Sequence, residues 1–376
     1  MGESSKVIKY IKMHLICLIT SVHFANDTRI FHKEAKTLIQ AGYDVILIAQ
    51  NNKNEIVDGV KIIALLKPRN RFTRIFALTW QVFCLALCQH ADVYHFHDPE
   101  LIIVGIILRL FGKKVIYDVH EDVPKQIMNK NWLGNNHIRK FAAFIMNIVE
   151  QIGGLLFNKI VVATPDIAKR FPEKKTVILR NYPILKLIDN TVPINYKKNK
   201  PVIIYAGGLT KIRGIKEIVQ AMEYIENKAE LWLLGKWESE KFKKDCEDLA
   251  GWKYTKYLGF KNLEEVYSFM KSSDIGIINF LPVKNHLGAL PNKPFEYMTC
   301  SLPIIMSNFP YWQEIFRDCV LFVDPYDSKD IAEKVLYLLD NPNEAKKLGK
   351  KGRKLIEEKY SWETESKKLL EMYNNL

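Results

Sequence analysis

Short apolar runs rich in β-branched residues alternate with longer amphipathic segments along almost the whole chain. Runs that are apolar on both faces are typical of parallel strands buried between two layers of helices. The predicted strands cover 13–20, 43–50, 91–98, 113–121, 158–165, 200–208, 229–235, 252–259, 274–280, 302–308 and 320–325. The predicted helices cover 27–41, 74–90, 99–111, 135–157, 214–226, 238–250, 262–272, 293–299, 328–340 and 343–358. This alternation predicts an α/β protein built on doubly wound parallel sheets.

The alternation pauses over residues 181–200, where prolines and a polar, basic end are typical of a linker. A chain of 376 residues has room for two domains of ordinary size. We therefore predict one domain over residues 1–185, a second of similar size over 186–360 and a separate amphipathic helix over 361–376. Two such domains are expected to face each other across a cleft.

The charge is unevenly distributed along the chain. The net charge is +13 at pH 7, and residues 1–190 hold 26 Lys and Arg against 16 Asp and Glu. A basic excess in one half predicts an anionic partner: a membrane surface, a nucleic acid or a phosphorylated ligand. Nucleic acid is disfavoured, because the aromatic residues do not interleave with Lys and Arg along a strand. The six cysteines form no CxxC pair, so neither a disulfide framework nor a zinc knuckle is expected.

The start of the chain and three apolar segments bear on membrane association. Residues 1–20 do not resemble a signal peptide, and Lys6 stands where N-myristoylation requires Ser or Thr. The apolar segments 75–88, 101–111 and 141–157 are too short to span a bilayer. They are either buried helices of an α/β core or helices whose basic neighbours rest on an anionic bilayer. Those basic neighbours are Arg69, Arg71, Arg74, Arg139 and Lys140.

Ligands of open parallel sheets bind at the loops after the carboxyl ends of strands, so polar residues there are candidates for chemistry. Asp27 and Asp98 would cap helices or face a ligand, and His120 is a candidate acid–base or hydrogen-bonding group. His-x-His at 95–97 places two imidazoles on one strand face, but no third ligand stands at a matched spacing, so no metal is predicted. The candidates in the first domain are Asp27, Arg29, His97, Asp98, His120 and Glu121.

The second domain holds a candidate diphosphate site. Gly207 and Gly208 form a turn between a strand and a helix, with Lys211 and Arg213 in the same loop. Open backbone amides, a helix N-terminus and two cations together suit a diphosphate.

The dinucleotide fingerprint GxGxxG is absent from the first loop, 20–35, which counts against a hydride-transfer enzyme.

A second stretch, 286–308, adds polar groups that suit a nucleotide. Gly288 provides backbone freedom, while Lys293 and Glu296 stand near the predicted start of a helix. An acid in that place could accept two hydroxyls of a ribose, and the lysine would offset phosphate charge.

Taken together, these residues resemble glycosyltransferase family 4, the retaining GT-B enzymes that use nucleotide sugars. The resemblance covers nearly the whole chain, and it is most specific around Glu296. It rests on HFHDPEL (95–101), VIYDVHED (115–122), IIYAGGLTKIRGIKEIV (203–219), LGFKNLEEV (258–266), LPNKPFEYMTCSLPII (290–305) and YSWE (360–363). The first two motifs are similar to a branch that builds bacterial surface polysaccharides. The resemblance implies two Rossmann-like domains, with the terminal helix packing back on the first.

The resemblance also implies roles for matching residues. His120 would hydrogen-bond the transferred sugar, Arg213 would clamp the diphosphate, and Glu296 would hold the ribose hydroxyls. Phe260 would flank the base, and the backbone around Gly288 would hold phosphate. The implied donor contacts are Gly207, Gly208, Lys211, Arg213, Phe260, Gly288, Ala289, Leu290, Lys293 and Glu296. Two positions depart from the family pattern, because Gly288 replaces its first acid and Leu209 replaces an Arg that often follows the phosphate-loop glycine.

These features predict an enzyme that moves a sugar from a UDP- or GDP-sugar to a hydroxyl of a glycan or of a polyprenyl-diphosphate-linked acceptor. No cofactor and no metal are expected, since cations and helix ends would balance the leaving diphosphate. The expected location is cytoplasmic, peripheral on the inner face of the cell membrane. Two alternatives remain: a catalytically weak sugar-binding partner subunit, suggested by Gly288, or another GT-B activity such as an epimerase or phosphorylase.

Overall fold

The computed structural model describes residues 15–66, 70, 73, 77–128, 130, 133–196 and 198–376. Residues 1–14, at the start of the chain, lie outside this part, as do the basic residues Arg69, Arg71 and Arg74. The chain divides into two compact units. The first unit runs to Asn181 and includes Glu365–Leu376, and the second unit is Tyr182–Thr364.

The first unit is built on an eight-stranded sheet in the order β3-β4-β2-β1-β5-β6-β7-β8. All neighbouring strands are parallel except β3 and β4, which form a hairpin. The strands are β1 Leu15–Phe24, β2 Asp44–Gln50, β3 Glu55–Val57, β4 Val60–Leu65, β5 Val93–Phe96, β6 Lys114–Val119, β7 Lys159–Val162 and β8 Thr176–Ile178. The core of this unit includes the rings of Phe96 and Tyr117, stacked 4.8 Å apart.

Helices cover this sheet, as the amphipathic pattern predicts. The first of them differs from the α-helix predicted over 27–41, because Thr28–Ala35 is a wider π-helix and only Lys36–Gln40 is α-helical. The amide of His32 reaches the carbonyl of Asp27, five residues back, at 3.3 Å. The α-helices are α1 Lys36–Gln40, α2 Thr79–Cys88, α3 Ile102–Leu110, α4 Val123–Met128, α5 Asn136–Leu156 and α6 Pro165–Ala168.

The second unit is built on a six-stranded sheet in the order β11-β10-β9-β12-β13-β14, parallel throughout. The strands are β9 Val202–Ala206, β10 Glu230–Leu234, β11 Thr255–Gly259, β12 Ile275–Ile278, β13 Ile304–Ser307 and β14 Val320–Val323. The helices are α7 Leu185–Asn190, α8 Ile215–Ile225, α9 Glu240–Glu247, α10 Leu263–Lys271, α11 Lys284–Leu287, α12 Lys293–Thr299, α13 Pro310–Phe316, α14 Ser328–Asp340 and α15 Pro342–Lys359. The last helix, α16 Trp362–Asn374, begins in the second unit, and its residues from Glu365 onward belong to the first unit.

The predicted fold class, two doubly wound parallel α/β sheets, is confirmed. Both sheets also have a point at which the chain reverses its direction of travel across the sheet. In the first unit this point lies between β1 and β5, and in the second it lies between β9 and β12. The loops that leave neighbouring strands in opposite directions there open a crevice, which is where ligands of such sheets bind. Of the helices in the described part of the chain, none is long and apolar enough to cross a bilayer.

Candidate functional site

In the first unit, Asp98 joins the two loops at the switch point. This carboxylate is buried at the end of β5 and accepts hydrogen bonds from the amide of Ser21 at 2.6 Å and the hydroxyl of Thr20 at 2.8 Å. Its side chain makes no capping hydrogen bond to the short helix that follows, although that is one role the sequence predicts. Asp98 therefore holds the loop after β1 against the end of β5.

Asp118 and Arg29 form a buried ion pair at the end of β6. The guanidinium donates from Nε at 3.0 Å and from Nη2 at 2.9 Å to Oδ2 of Asp118, and its Nη1 donates to the carbonyl of Leu179 at 3.1 Å. Burial raises the cost of the Asp118 charge, yet Arg29 holds the pKa of this carboxyl well below its usual range. A bidentate pair of this kind fixes the first turn of the π-helix against the sheet.

His120 stands immediately after β6 and lies next to a second imidazole. Its Nε2 is 3.1 Å from Nδ1 of His97 and 3.6 Å from Oδ1 of Asp118. His97 is fully buried, whereas 24% of the His120 side chain is exposed. Burial lowers the pKa of His120 to about 3, so the ring is neutral at physiological pH. A neutral imidazole with one open face can donate or accept a hydrogen bond without carrying charge.

Three residues near His120 carry no sequence signal that singles them out. The His23 ring lies 5.7 Å from the His120 ring and its Nδ1 is 3.2 Å from Asp27, which raises the pKa of His23. Tyr373 comes from the C-terminal helix, and its hydroxyl lies 2.8 Å from Nδ1 of His95. Glu34 is fully buried beside Arg29. Only their three-dimensional neighbours distinguish them from ordinary loop, helix and tail residues.

The remaining first-unit candidates lie in different settings. Asp27 caps the π-helix by accepting the amides of Arg29 and Ile30 at 2.8 and 3.0 Å. Glu121 is exposed after β6.

Four buried donors in the first unit lie close enough to raise the question of a metal. They are Glu34, His95, His97 and Asp118, whose ligand atoms all lie within 4.8 Å of one another. The guanidinium of Arg29 already stands among them, 3.1 Å from Oε1 of Glu34 and 2.9 Å from Oδ2 of Asp118. A divalent cation would have to share both carboxylates with this fixed positive charge, so we assign no metal to the cluster.

In the second unit, Arg213 lies directly over the glycine turn that follows β9. Its Nη1 is 3.0 Å and 3.3 Å from the points where Cβ atoms would stand on Gly207 and Gly208. Its guanidinium also lies 5.4 Å from the centre of the Phe280 ring. A side chain at either glycine would displace the guanidinium, so the turn and the cation form one feature.

The backbone after Arg213 is also closely packed. Gly214 has a φ of 63°, and a Cβ there would stand 2.0 Å from the carbonyl oxygen of Asn279. The Asn279 amide donates to the carbonyl of Pro325 at 2.9 Å, while its Oδ1 is buried without a partner. Asn279, at the end of β12, thus connects the loops after β9 and β14 and is a residue that sequence reasoning missed.

Two predicted donor residues point to other neighbours. The ammonium of Lys211 lies 5.6 Å from the Phe242 ring, and the amide of Lys211 donates to Glu238 at 2.9 Å. The ammonium of Lys236 lies 4.5 Å from the centre of the exposed Phe260 ring.

Glu296 lies in the first turn of α12 and is paired with Lys293 one turn earlier. Lys293 Nζ is 2.5 Å from Oε2 of Glu296, and 12% of the glutamate side chain is exposed. The next residue, Tyr297, accepts the amide of Ala206 at 3.0 Å through its hydroxyl, which fastens α12 to the end of β9. Glu296 and the glycine turn therefore lie at the same edge of the same pair of neighbouring strands, β9 and β12.

The segment before α12 is anchored through Ala289. Its amide donates to the carbonyl of His286 at 3.1 Å, and its carbonyl accepts from the indole of Trp312 at 2.7 Å. Gly288, by contrast, has open space where a side chain would stand. Leu290 packs partly buried against the core of this unit.

Comparisons with known proteins agree with this architecture. Residues 189–355 match the family model described as glycosyl transferases group 1. The capsular polysaccharide biosynthesis glycosyltransferase CapM of Staphylococcus aureus is 21% identical over 358 residues, covering 88% of this chain and 90% of CapM. An uncharacterized glycosyltransferase of Methanocaldococcus jannaschii is 25% identical over 185 residues, 48% of this chain and 46% of that protein.

Solved structures share the fold across nearly the whole chain. Sucrose-phosphate synthase from Thermosynechococcus elongatus superposes with a TM-score of 0.73 at 18% identity, covering 96% of this chain and 98% of that one. HepE of Anabaena, solved in complex with UDP-glucose, superposes with a TM-score of 0.70 at 10% identity, covering 96% and 100%. The two parallel sheets with their switch-point loops share the fold of these GT-B structures. The chain is a glycosyltransferase like those of family 4, which confirms the resemblance and the prediction of an enzyme.

Proposed function

We propose that the chain is a retaining glycosyltransferase that moves a sugar from a nucleotide diphosphate sugar to a hydroxyl of a glycan or lipid-linked glycan. The observation that carries this proposal is the Arg213 guanidinium, held over the Gly207–Gly208 turn at the start of a helical segment. A fixed cation and open backbone at the carboxyl end of a strand suit the negative charge of a diphosphate. CapM, a glycosyltransferase of capsular polysaccharide biosynthesis, and HepE, solved with UDP-glucose, support a surface glycan as product and a UDP-sugar as donor.

The protein's contribution to this reaction is orientation and charge stabilisation. The leaving diphosphate would gain charge as the sugar–phosphate bond breaks, and the Arg213 guanidinium would offset that charge. The departing phosphate oxygen would help to deprotonate the acceptor hydroxyl on the same face of the sugar. No protein nucleophile is required, and we propose that no metal is required, because Arg213 supplies the positive charge.

Glu296 would orient the nucleotide through its ribose. In this structure its carboxylate is paired with Lys293. A bound ribose would donate hydrogen bonds from its hydroxyls to the same carboxylate, while Lys293 would remain close enough to offset phosphate charge. His120, neutral and half-buried, would hydrogen-bond the transferred sugar.

Helix α5 supports the proposed association with an anionic membrane surface. Its exposed side chains include Phe141, at 67%, and Phe144, at 59%, with Lys140 also exposed between them and the helix start. The exposed apolar residues of the helix are Ile138, Phe141, Phe144, Ile145, Ile148, Ile152, Leu155 and Leu156. An apolar face with basic neighbours is typical of a helix that lies in a membrane interface. We propose that this helix meets the inner face of the cell membrane, where a lipid-linked acceptor would be found.

A donor screen tests the proposed function directly. The full chain is mixed with UDP, GDP and their hexose derivatives, and its melting temperature is measured for each. A ligand that binds only the native state at 100 times its Kd stabilises it by about 2.7 kcal/mol, which raises the melting temperature by several degrees. Positive donors are then assayed for release of the nucleoside diphosphate with glycan acceptors. If no nucleotide shifts the transition, the proposal is wrong. If a donor binds without transfer, the chain is a sugar-binding partner subunit instead.

A further inference from the structure

His286 lies in the short helix α11, which follows β12 at the same edge of the sheet as the glycine turn. Its ring is held at two points. Nδ1 lies 2.9 Å from the carbonyl oxygen of Leu281, and the ring packs on Phe280 with 4.7 Å between the ring centres. Only 9% of the residue is exposed. The imidazole is therefore a fixed part of this edge of the sheet.

The same neighbours hold Arg213. Its guanidinium lies 5.4 Å from the centre of the Phe280 ring. The amide of Leu281 donates at 2.8 Å to the carbonyl of Ile212, the residue that precedes Arg213. These two contacts join the imidazole of His286 to the loop that carries Arg213, so both groups belong to one packed cluster.

The contact with Leu281 fixes which nitrogen of the ring carries the hydrogen. A carbonyl oxygen can only accept a hydrogen bond, so Nδ1 of His286 must be the donor. Burial lowers the pKa of His286 and the nearby Arg213 charge lowers it further, while the bond to Leu281 acts in the opposite direction. The ring is then neutral at pH 7, which leaves a lone pair on Nε2. Nε2 has no hydrogen-bond partner in the described part of the chain, so it can accept a hydrogen bond from a ligand.

The chemistry of Nε2 limits what it can meet. The oxygens of a bound nucleotide sugar's diphosphate carry no hydrogen at neutral pH, so they cannot donate to a lone pair. A hydroxyl group can donate, and a sugar presents several of them. The unpaired nitrogen of His286 therefore suits a sugar that is joined to a phosphate, and it does not suit the phosphate itself.

The order of the strands indicates which part of a nucleotide sugar would reach His286. The sheet runs β11-β10-β9-β12, and the glycine turn follows β9. Phe260, whose ring is exposed, follows β11 and offers a surface on which a base can stack, while His286 follows β12 on the other side of the turn. A nucleotide sugar has the order base, ribose, diphosphate, sugar. With its diphosphate at the turn and its base beside Phe260, its sugar would lie on the His286 side.

We propose that His286 binds the donor, with Nε2 accepting a hydrogen bond from a hydroxyl of the transferred sugar. The inference rests on the proposed function, because the ligand that it invokes is the nucleotide sugar of that proposal. It gives a neutral imidazole of the second unit the task of distinguishing a nucleotide sugar from the nucleoside diphosphate alone.

Binding of the nucleotide with and without its sugar tests the assignment. Dissociation constants of the full chain are measured by calorimetry for UDP, GDP and the UDP- and GDP-hexoses. His286→Asn keeps a side-chain N–H near the position of Nδ1 and removes Nε2. We expect the Kd of the tightest nucleotide hexose to rise about tenfold, as for one lost hydrogen bond, while the Kd of its nucleoside diphosphate stays within about twofold. Equal weakening of both ligands, or of neither, would overturn the inference.

Leu287→Asn is the matched control. It introduces the same side chain at the next position of α11, where Leu287 is 45% exposed. We expect both dissociation constants to remain within about twofold of those of the native chain. If this variant loses affinity for the nucleotide hexose as fully as His286→Asn does, the effect comes from disturbance of α11 and the inference is wrong.

NMR of the native chain gives a readout that needs no substitution. His286 is the only histidine of residues 182–364, and long-range ¹H–¹⁵N spectra of the histidine-labelled chain distinguish its two ring nitrogens. At pH 7 we expect a hydrogen on Nδ1 and none on Nε2. We expect the Nε2 resonance to move to lower frequency when the nucleotide hexose binds, and to move far less when its nucleoside diphosphate binds. A hydrogen on Nε2 in the free protein would contradict the inference.

The outcomes also separate this inference from the proposed function. If a nucleotide binds but its hexose leaves the Nε2 resonance of His286 unaffected, the proposed donor site stands and the role of His286 is overturned. If no nucleotide and no nucleotide hexose binds, the proposed function is wrong, and this inference is wrong with it.

Discussion

At the scale of single residues, the second unit combines two side chains with complementary chemistry at one edge of its sheet. Arg213 lies over the Gly207–Gly208 turn, where we propose that it meets phosphate charge. Glu296 lies in the first turn of α12, where its carboxylate can accept hydrogen bonds from hydroxyl groups. The sequence predicts both residues as candidates, because each lies in a motif that follows a predicted strand. Asn279 was missed because its role depends on tertiary structure. Its side chain connects two loops that meet only in the folded unit.

Substitution of these two residues should separate diphosphate binding from ribose binding. Arg213→Ala removes a positive charge that would stabilise the transition state more than the bound donor. We therefore expect kcat to fall by about 100-fold or more. Glu296→Ala removes hydrogen bonds to bound donor, and we expect kcat/KM to fall by about 10- to 100-fold, mostly through KM. Steady-state kinetics of nucleotide release measures both. The control Lys216→Ala removes an exposed cation on the neighbouring helix and should leave both constants within about twofold. Full activity in both site variants would mean that the donor binds elsewhere.

At the scale of elements, alternation of apolar runs identifies most strands but not the shortest or least regular pieces. The predicted strands omit β3, β4 and β8. Strands β3 and β8 have only three residues, too few for a periodic signal, and β3 forms a hairpin with β4 through Asp58 and Gly59, both with positive φ. The predicted helix 27–41 becomes a π-helix in its first part, where Arg29 must reach Asp118. The linker predicted over 181–200 contains the short helix α7, and α13 was not predicted. No sequence pattern singled out Glu34 or Tyr373, because the residues that surround their side chains are distant in sequence.

At the same scale, we predict that helix α5 is the element that contacts an anionic membrane surface. The full chain is centrifuged with vesicles of phosphatidylcholine and phosphatidylglycerol, at low and at high salt. We expect binding at low salt that weakens as salt screens the charges, and a variant Phe141→Ser/Phe144→Ser should bind at least about tenfold more weakly. Ile56→Ser, an exposed apolar residue of β3 in the same unit, is the control and should bind as the native chain does. Equal binding by the double variant would rule out α5 as the contact.

At the scale of the whole molecule, each of the two units repeats one design: a doubly wound parallel sheet with functional groups at its switch point. The first unit places a neutral histidine there, and the second places a fixed cation and a carboxylate. In the proposed reaction, these groups would take the place of the paired carboxylates that a hydrolase uses. That reaction would depend on holding a charged leaving group and orienting a sugar, and residues at strand ends would perform both tasks.

The measurement that tests the central claim most directly is a crystal structure of the chain soaked with the donor found in the thermal screen. We predict a diphosphate bound at the Gly207–Gly208 turn with the Arg213 guanidinium within hydrogen-bond distance of its oxygens, and the ribose hydroxyls on Glu296. A donor bound in the second unit with both side chains turned away from it, or one bound only in the first unit, would contradict the account.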